Sequence, residues 1–351
     1  MSDTDAASRP GRNLDYPFET RPEPGEMIEA APGVYWIRMR LPMQLNHINL
    51  WLLEDGDGWT VVDTGIRDEA TADAWEQLFS GPTAGRPIRR VIVTHLHPDH
   101  IGLAGWLVRR FGVELWMTRT DYLMCRALAF DTHDEVPEEG TRFYRAAGFD
   151  DAALEDYKIR FGGFGRNIYP LPNSYRRMQE GELIGIGGHS WEVVVGRGHA
   201  PEHACLWCRE ANLFISGDQI LPRISSNVSV FPTEPEGNPL QDWLDSCAKL
   251  KALLPPDTLV LPAHNEPFRG VKLRLQELID GHESAMEKLT ALCAEPQRAV
   301  DCFPALFRTR ITSGNYMMAT GESLAHLNCL RARGQVRRTT DGNGVDWYVQ
   351  A

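Results

Sequence analysis

Short apolar runs alternate with polar turns along most of the chain, and their spacing predicts the elements before any chemistry is considered. From Gly33 onward, residues 34–37, 48–53 and 59–62 read as strands, the last two joined by the turn Asp55-Gly56-Asp57-Gly58. Apolar positions at helical spacing over 69–79 give way to a buried-looking strand at 90–94, a helix over 101–111 and a short strand at 114–117. Residues 121–180 break this rhythm with a polar and aromatic excursion, which reads as an insertion or lid; its Gly-Gly-Phe-Gly at 162–165 lacks a phosphate-loop context and reads as a hinge. Strands resume at 191–195, 204–208 and 213–216, followed by a helix at 240–254, a strand at 258–261 and a long helix over 271–293.

Glu295-Pro296 punctuates the chain. After it come a helix near 300–307, another at 316–333 and two strands, 335–338 and 345–350, joined at Asp341-Gly342-Asn343-Gly344, which together suggest a small winged-helix-like module over 296–351. Residues 1–24, rich in Pro, Gly and charge, read as an N-terminal arm, leaving 25–295 as one large α/β (α+β) domain.

Composition narrows the classes. With 42% hydrophobic and 24% charged residues in 351, the chain has the makeup of a soluble globular protein. Thirty-six Lys and Arg against 48 Asp and Glu give a net charge of −12, which offers no global basic footprint for nucleic acid or anionic lipid. No apolar segment suits a signal peptide or a membrane span. Seven scattered cysteines do not form a disulfide framework and point to a reducing, cytoplasmic setting; the Cys205/Cys208 pair reads as structural.

The chemistry concentrates in Thr-His-Leu-His-Pro-Asp-His at 94–100, which crowds His95, His97, Asp99 and His100 between an apolar strand and a helix. A chance H-x-H-x-D-H is expected in such a chain less than about once in a thousand. At a strand end, residues i and i+2 point the same way, so His95 and His97 can grip one ion while the turn through Pro98 swings Asp99 and His100 toward a second. His199, Asp218 and His264 each follow a further apolar strand. Together these residues complete two sites: His95, His97 and His199 for one metal, Asp99, His100 and His264 for the other, with Asp218 bridging.

These residues, with the strand ending in Asp63-Thr64-Gly65, the segment Gly-His-Ala-Pro-Glu-His at 198–203 and the Gly217-Asp218 pair, resemble the metallo-β-lactamase-fold hydrolases over roughly residues 30–295. The resemblance implies a four-layer αββα sandwich with a dinuclear site along one edge, holding two Zn(2+) ions, with Fe or Mn as alternatives. It also implies that Asp63 orients a metal-bound histidine and that His203 lies beside the metals rather than on them. A bridging Asp is similar to the glyoxalase II, acyl-homoserine lactonase and ribonuclease branches, whereas true β-lactamases lack it. His97 stands where the oxygen-reducing di-iron branch carries Glu, which favours hydrolysis. Ala263 replaces the usual Gly before His264, and no counterpart to the tyrosine of some lactonases occurs in 220–230.

The expected reaction is hydrolysis of a thioester, ester or lactone with a bulky acyl group by a metal-bridging hydroxide, with Asp99 as proton acceptor and donor. Ser225, Ser226 and Asn227 are candidates for contact with a small-molecule acyl substrate, and the aromatic insertion for its pocket, with half or more of its rings expected to build the insertion's own small core. The whole layout resembles the β-lactamase-like-protein-2 group, some members of which cut RNA, and this supplies the alternative of a metal-dependent phosphodiesterase or ribonuclease on single-stranded nucleic acid. Residues 301–351 carry six arginines against four acids, and the patch at Arg331, Arg333, Arg337 and Arg338 reads equally as a solvated face or a homodimer contact. A non-catalytic metal sensor would require a degraded ligand set, and all seven positions are present.

Overall fold

A computed structural model describes residues 10–43, 45–130 and 135–351; residues 1–9 of the expected arm and 131–134 of the expected insertion lie outside it. Among the described residues, β1 (Met27–Ala31), β2 (Val34–Arg40), β3 (His47–Asp55), β4 (Gly58–Val62), β5 (Ile88–Ile92), β6 (Leu115–Met117) and β7 (Arg176–Arg177) form one sheet in chain order. The pairings are antiparallel through β4 and parallel from β4 to β7. A second sheet runs β12-β11-β10-β9-β8, from β8 (Leu183–Ile186), β9 (His189–Gly196), β10 (His203–Cys208), β11 (Leu213–Gly217) and β12 (Leu259–Pro262). Of these, β11 and β12 are parallel and the other neighbours antiparallel.

The period-two alternation of each strand explains why the sheets stack. In β9 to β12, Trp191, Val193, Leu206, Ile215 and Leu261 face inward onto Trp36, Trp51, Val62 and Ile92 of the first sheet. The intervening residues Val194, Cys205, Trp207, Phe214 and Val260 face outward into a separate cluster. Cys205 and Cys208, three residues apart on one strand, therefore lie on opposite faces, and all seven cysteines are free.

Helices cover both outer faces. On the first sheet lie α1 (Glu69–Ser80), the short α2 (Pro98–Ile101), α3 (Ala104–Phe111) and α4 (Arg119–Phe130), whose Trp75, Ile101, Leu107 and Tyr122 pack against Leu50, Val61 and Val91. Within the irregular stretch, α5 (Glu138–Ala146) and α6 (Asp151–Arg160) build a small core from Tyr144, Phe149 and Tyr157, and Tyr316 and Met317 pack against it. On the second sheet, α7 (Pro239–Leu253) and α8 (Val271–Leu292) share one cluster with α10 (Tyr316–Ala332), which follows the single-turn α9 (Phe303–Leu306). The hairpin β13 (Val336–Thr340) and β14 (Asp346–Gln350) closes the chain. The layers are thus αββα, the expected sandwich. No helix among the described residues is long and apolar enough to cross a membrane.

Two local differences from the sequence expectation have physical reasons. The strand β1 falls before Gly33; it pairs only with β2 and carries a half-exposed pattern with no clear alternation. The helix expected over 101–111 is broken at Leu103, which leaves helical geometry at φ −103°, ψ 8°, and the preceding Gly102 is packed so closely that a Cβ would lie 2.5 Å from the Arg67 nitrogen and from the Gly65 and Pro98 carbonyl oxygens. Because those neighbours are backbone atoms, G102A is expected to destabilise the protein by about 2 kcal/mol, as overpacking does. Chemical unfolding of the two proteins checks this, and an unchanged midpoint contradicts it.

Candidate metal centre

Strand polarity assembles the site. β4 and β5 are parallel, and β9, β11 and β12 share one direction, so within each sheet the C-terminal ends of these strands meet on one edge. Asp63, His95, His199, Asp218 and His264 leave those ends. Backbone hydrogen bonds stitch the sheets together there: the Ala204 N–H donates to the Thr94 carbonyl at 2.8 Å, and the Asn49 N–H to the Ala263 carbonyl at 2.6 Å.

His95, His97 and His199 bring three ring nitrogens into one triangle. His95 Nε2 lies 2.9 Å from His97 Nδ1, which lies 3.0 Å from His199 Nε2, and the third side is 3.2 Å. Partners on the far side of two rings fix the tautomers. His199 Nδ1–H donates to the Asn227 carbonyl at 2.6 Å, and His95 Nδ1 lies 3.0 Å from the Thr94 hydroxyl. The Thr94 hydroxyl donates to Asp63 Oδ2 at 2.8 Å, so it accepts from His95. Both Nε2 atoms therefore present lone pairs into a space that a cation would stabilise; tetrahedral nitrogens about 2.0–2.1 Å from a zinc lie about 3.3 Å apart.

Asp99, His100 and His264 form the second group. His264 Nε2 is 3.4 Å and His100 Nε2 is 3.8 Å from Asp99 Oδ2. Asp218 faces both groups: its Oδ1 is 3.3 Å from His264 and 3.5 Å from His100, and its Oδ2 is 3.3 Å from His199. Asp218 Oδ1 and His100 Nε2 are buried without a hydrogen-bond partner. Such orphaned atoms are costly unless something binds them, so the donor set fits a pair of divalent cations.

A supporting layer holds these rings. Asp63, in the left-handed region at φ 62°, accepts from Thr94 N–H at 2.8 Å and from His100 Nδ1–H at 2.8 Å. Such a conformation costs about 1 kcal/mol or more, which these buried bonds offset. His264 Nδ1–H donates to the His47 carbonyl at 2.9 Å. His203, stacked on His95 with ring centroids 4.6 Å apart, accepts the Asp218 N–H at 3.0 Å. Gly217 permits that approach, since a Cβ there would lie 2.5 Å from the His203 ring.

The family model of the Metallo-beta-lactamase superfamily matches residues 44–264, and that of the metallo-beta-lactamase-like C-terminal domain matches 286–351. The chain belongs to the metallo-beta-lactamase superfamily. It is similar to a solved beta-lactamase domain protein from Burkholderia ambifaria, at 42% identity and a TM-score of 0.89, covering 96% of this chain and 98% of that one. The probable metallo-hydrolase YqjP of Bacillus subtilis is 26% identical over 325 residues, 88% of this chain and 95% of the relative. The acyl-coenzyme A thioesterase MBLAC2 of Gallus gallus is 25% identical over 250 residues, 69% of this chain and 80% of the relative. By this kinship the protein is a metal-dependent hydrolase.

Protonation in this metallo-beta-lactamase-fold site follows burial and charge. Burial, reinforced by neighbouring imidazoles, holds His95 well below its ordinary value and His97 at about 3, which leaves both rings neutral. Burial also opposes charge on His100 and His264, but carboxylates outweigh it: Asp63, Asp218 and Asp99 hold His100 well above its ordinary value, and Asp218 and Asp99 raise His264 to about 10. A cation entering the second group takes the place of those protons.

The remaining expected residues are engaged with the protein. Ser226 is buried and its hydroxyl donates to the Asp218 carbonyl; Asn227 caps His199 and donates from Nδ2 to Glu322 at 2.8 Å. Ser225, exposed, donates to His282 at 3.0 Å. Sequence reasoning missed Thr94, His47 and Asp121. Thr94 stands inside the motif already singled out, whereas His47 acts through its main chain and Asp121 begins a helix, and neither carries a local signal.

Asp121 is the most consequential of the three. Fully buried at the start of α4, it accepts the Leu96 N–H at 3.0 Å and the Glu202 N–H at 2.7 Å, clamping the loop of His95 and His97 to the loop of His199. Burial outweighs the pull of those two N–H groups and holds its carboxyl up at about 7. D121A leaves both donors buried and unpaired, and should destabilise the protein by about 3 kcal/mol. Urea unfolding of the metal-free proteins measures this, and a change below about 0.5 kcal/mol would remove Asp121 from the account.

Proposed function

We propose that the protein is a dinuclear hydrolase of acyl thioesters. The observation that carries this reading is Asp218, one carboxylate oxygen turned to each donor triad. His95, His97 and His199 would hold one Zn(2+), and Asp99, His100 and His264 the other. Two such cations supply Lewis acidity, lowering the pKa of a bound water and offsetting the charge of a tetrahedral oxyanion. No nucleophilic side chain is then required.

The chain's own residues do the rest. Asp99, whose side chain is 18% exposed, is the acid at the mouth of the site and can accept a proton from water and return it to the leaving group. Asp63 keeps His100 in the tautomer whose Nε2 faces inward, and His203 holds the Asp218 backbone so that its carboxylate stays between the two groups. A thiol leaves as a weakly basic anion, so the demand on Asp99 as a proton donor is modest.

Thioester chemistry is favoured over RNA cleavage by two observations. The relative MBLAC2 is named for acyl-coenzyme A thioester hydrolysis and aligns over most of its own length. The arginines of the C-terminal patch are largely committed: Arg331 and Arg338 pair with Glu236 at 3.1 and 2.8 Å, and Arg333 pairs with Glu283 at 2.7 Å. Little free positive charge remains for a phosphate chain.

Purified protein is expected to carry two equivalents of metal and to hydrolyse members of a panel of long-chain acyl thioesters. Chelation should abolish turnover, and D218A should lower kcat/KM by about 10^3-fold, equivalent to about 4 kcal/mol of transition-state stabilisation. Metal-dependent cleavage of single-stranded RNA with no thioester turnover would replace this reading with the nuclease.

A further inference from the structure

Resting on the reading of His199 as a metal ligand, we propose that Glu322, on the C-terminal helix α10, is a positioning residue for the first metal site and acts on His199 through Asn227. The path is short and continuous. His199 Nδ1–H donates to the Asn227 main-chain carbonyl at 2.6 Å, and the Asn227 side chain donates from Nδ2 to Glu322 Oε2 at 2.8 Å. The Ser229 hydroxyl donates to Asn227 Oδ1 at 2.6 Å, so both ends of the amide are held. The same segment is tied to α10 through its main chain, where the Val230 N–H donates to the Gly321 carbonyl at 3.0 Å. Gly321 is required there, because a Cβ would stand 2.8 Å from the Ser229 side chain.

A second chain of bonds fixes the loop just before Asn227, and its polarity is unambiguous. His326 Nδ1–H donates to the Glu322 carbonyl at 2.8 Å, which leaves its Nε2 as acceptor for His282 Nδ1–H at 3.2 Å. His282 Nε2 then accepts the Ser225 hydroxyl at 3.0 Å. Burial holds His282 at about 3 and His326 at about 4, so both rings are neutral, as this one-way chain demands. Meanwhile Ser226 donates to the carbonyl of Asp218. The loop from Asp218 to Val230 is therefore secured against α8 and α10, and its Asn227 carbonyl is aimed at the ring that must present Nε2 to the metal. A carbonyl fixed in this way sets both the tautomer and the orientation of a ligating histidine, and loss of such a partner typically costs metal affinity 10–100-fold.

The test is zinc affinity by competition with a chromophoric chelator, together with the visible spectrum of the cobalt-loaded protein, for wild type, E322L, E322Q and N227A. E322L and N227A are expected to weaken one of the two zinc equivalents about tenfold, the lower end of the range for a partner that acts through another group. The other equivalent, held by Asp99, His100 and His264, keeps its affinity, and the cobalt bands of the affected site shift. E322Q retains an oxygen acceptor for Asn227 Nδ2 and restores wild-type binding. The double variant E322L/N227A binds no worse than either single change, because both cut the same path. Wild-type zinc affinity and an unaltered cobalt spectrum in E322L and N227A would overturn the proposal, and should E322L not fold, N227A alone decides between the same two results. Equal weakening of both equivalents would also overturn it, since that marks general destabilisation. If wild type itself bound no zinc, the proposed hydrolase and this inference would fall together; an unaltered N227A in a two-zinc protein defeats the inference alone.

Discussion

Everything at the edge of the sandwich answers to one electrostatic constraint: seven side chains of metal-binding type converge on one space, most of them buried, with Asp218 Oδ1 and His100 Nε2 left without a hydrogen-bond partner. Asp218 stands at its centre, within 3.3 Å of His199 through one oxygen and of His264 through the other. Three imidazole nitrogens within 3.2 Å of one another repel unless a cation sits among them. The surrounding fold reads as the means of holding that unfavourable arrangement open: paired sheets supply five strand ends on one edge, and Asp63, Thr94, His47 and His203 hold His100, His95, His264 and Asp218 respectively.

This constraint also explains which parts were legible in the sequence. His95, His199, Asp218 and His264 each follow an apolar run, and His97, Asp99 and His100 crowd the turn after the first of them, so their convergence was readable from spacing; the structure brings all seven together. The core strands were legible for the same reason, since burial on both faces leaves an unbroken apolar run. What escaped was carried by residues whose role depends on tertiary contact. Asp121 looks like an ordinary helix-start acid, yet it joins two loops through main-chain N–H groups more than 80 residues apart in sequence. Glu322 lies in a helix whose sequence gives no hint that it reaches Asn227. β1 was missed because an edge strand with half-exposed residues lacks a clear alternation.

The aromatic stretch shows a different limit. Its rings were read as divided between a substrate pocket and a core of the insertion's own; Tyr144, Phe149 and Tyr157 form such a core, but together with Tyr316 and Met317 from the C-terminal helix, and Tyr122 stacks on Tyr175 at 3.8 Å beneath the first sheet. Aromatic content marks apolar burial without saying which surface is buried. The same contacts tie α5 and α6 to the C-terminal helix, whose other side packs on the second sheet. The C-terminal segment is thereby part of the frame around the ligand loops.

The central claim, that these side chains hold two cations bridged by one carboxylate, is tested most directly by diffraction from zinc-soaked crystals on either side of the zinc absorption edge. Two anomalous peaks about 3.5–4 Å apart are predicted. One should touch His95 Nε2, His97 Nδ1 and His199 Nε2, the other Asp99, His100 and His264, with Asp218 touching both. No peak at this edge, or a single peak that leaves Asp218 unbound, would contradict it.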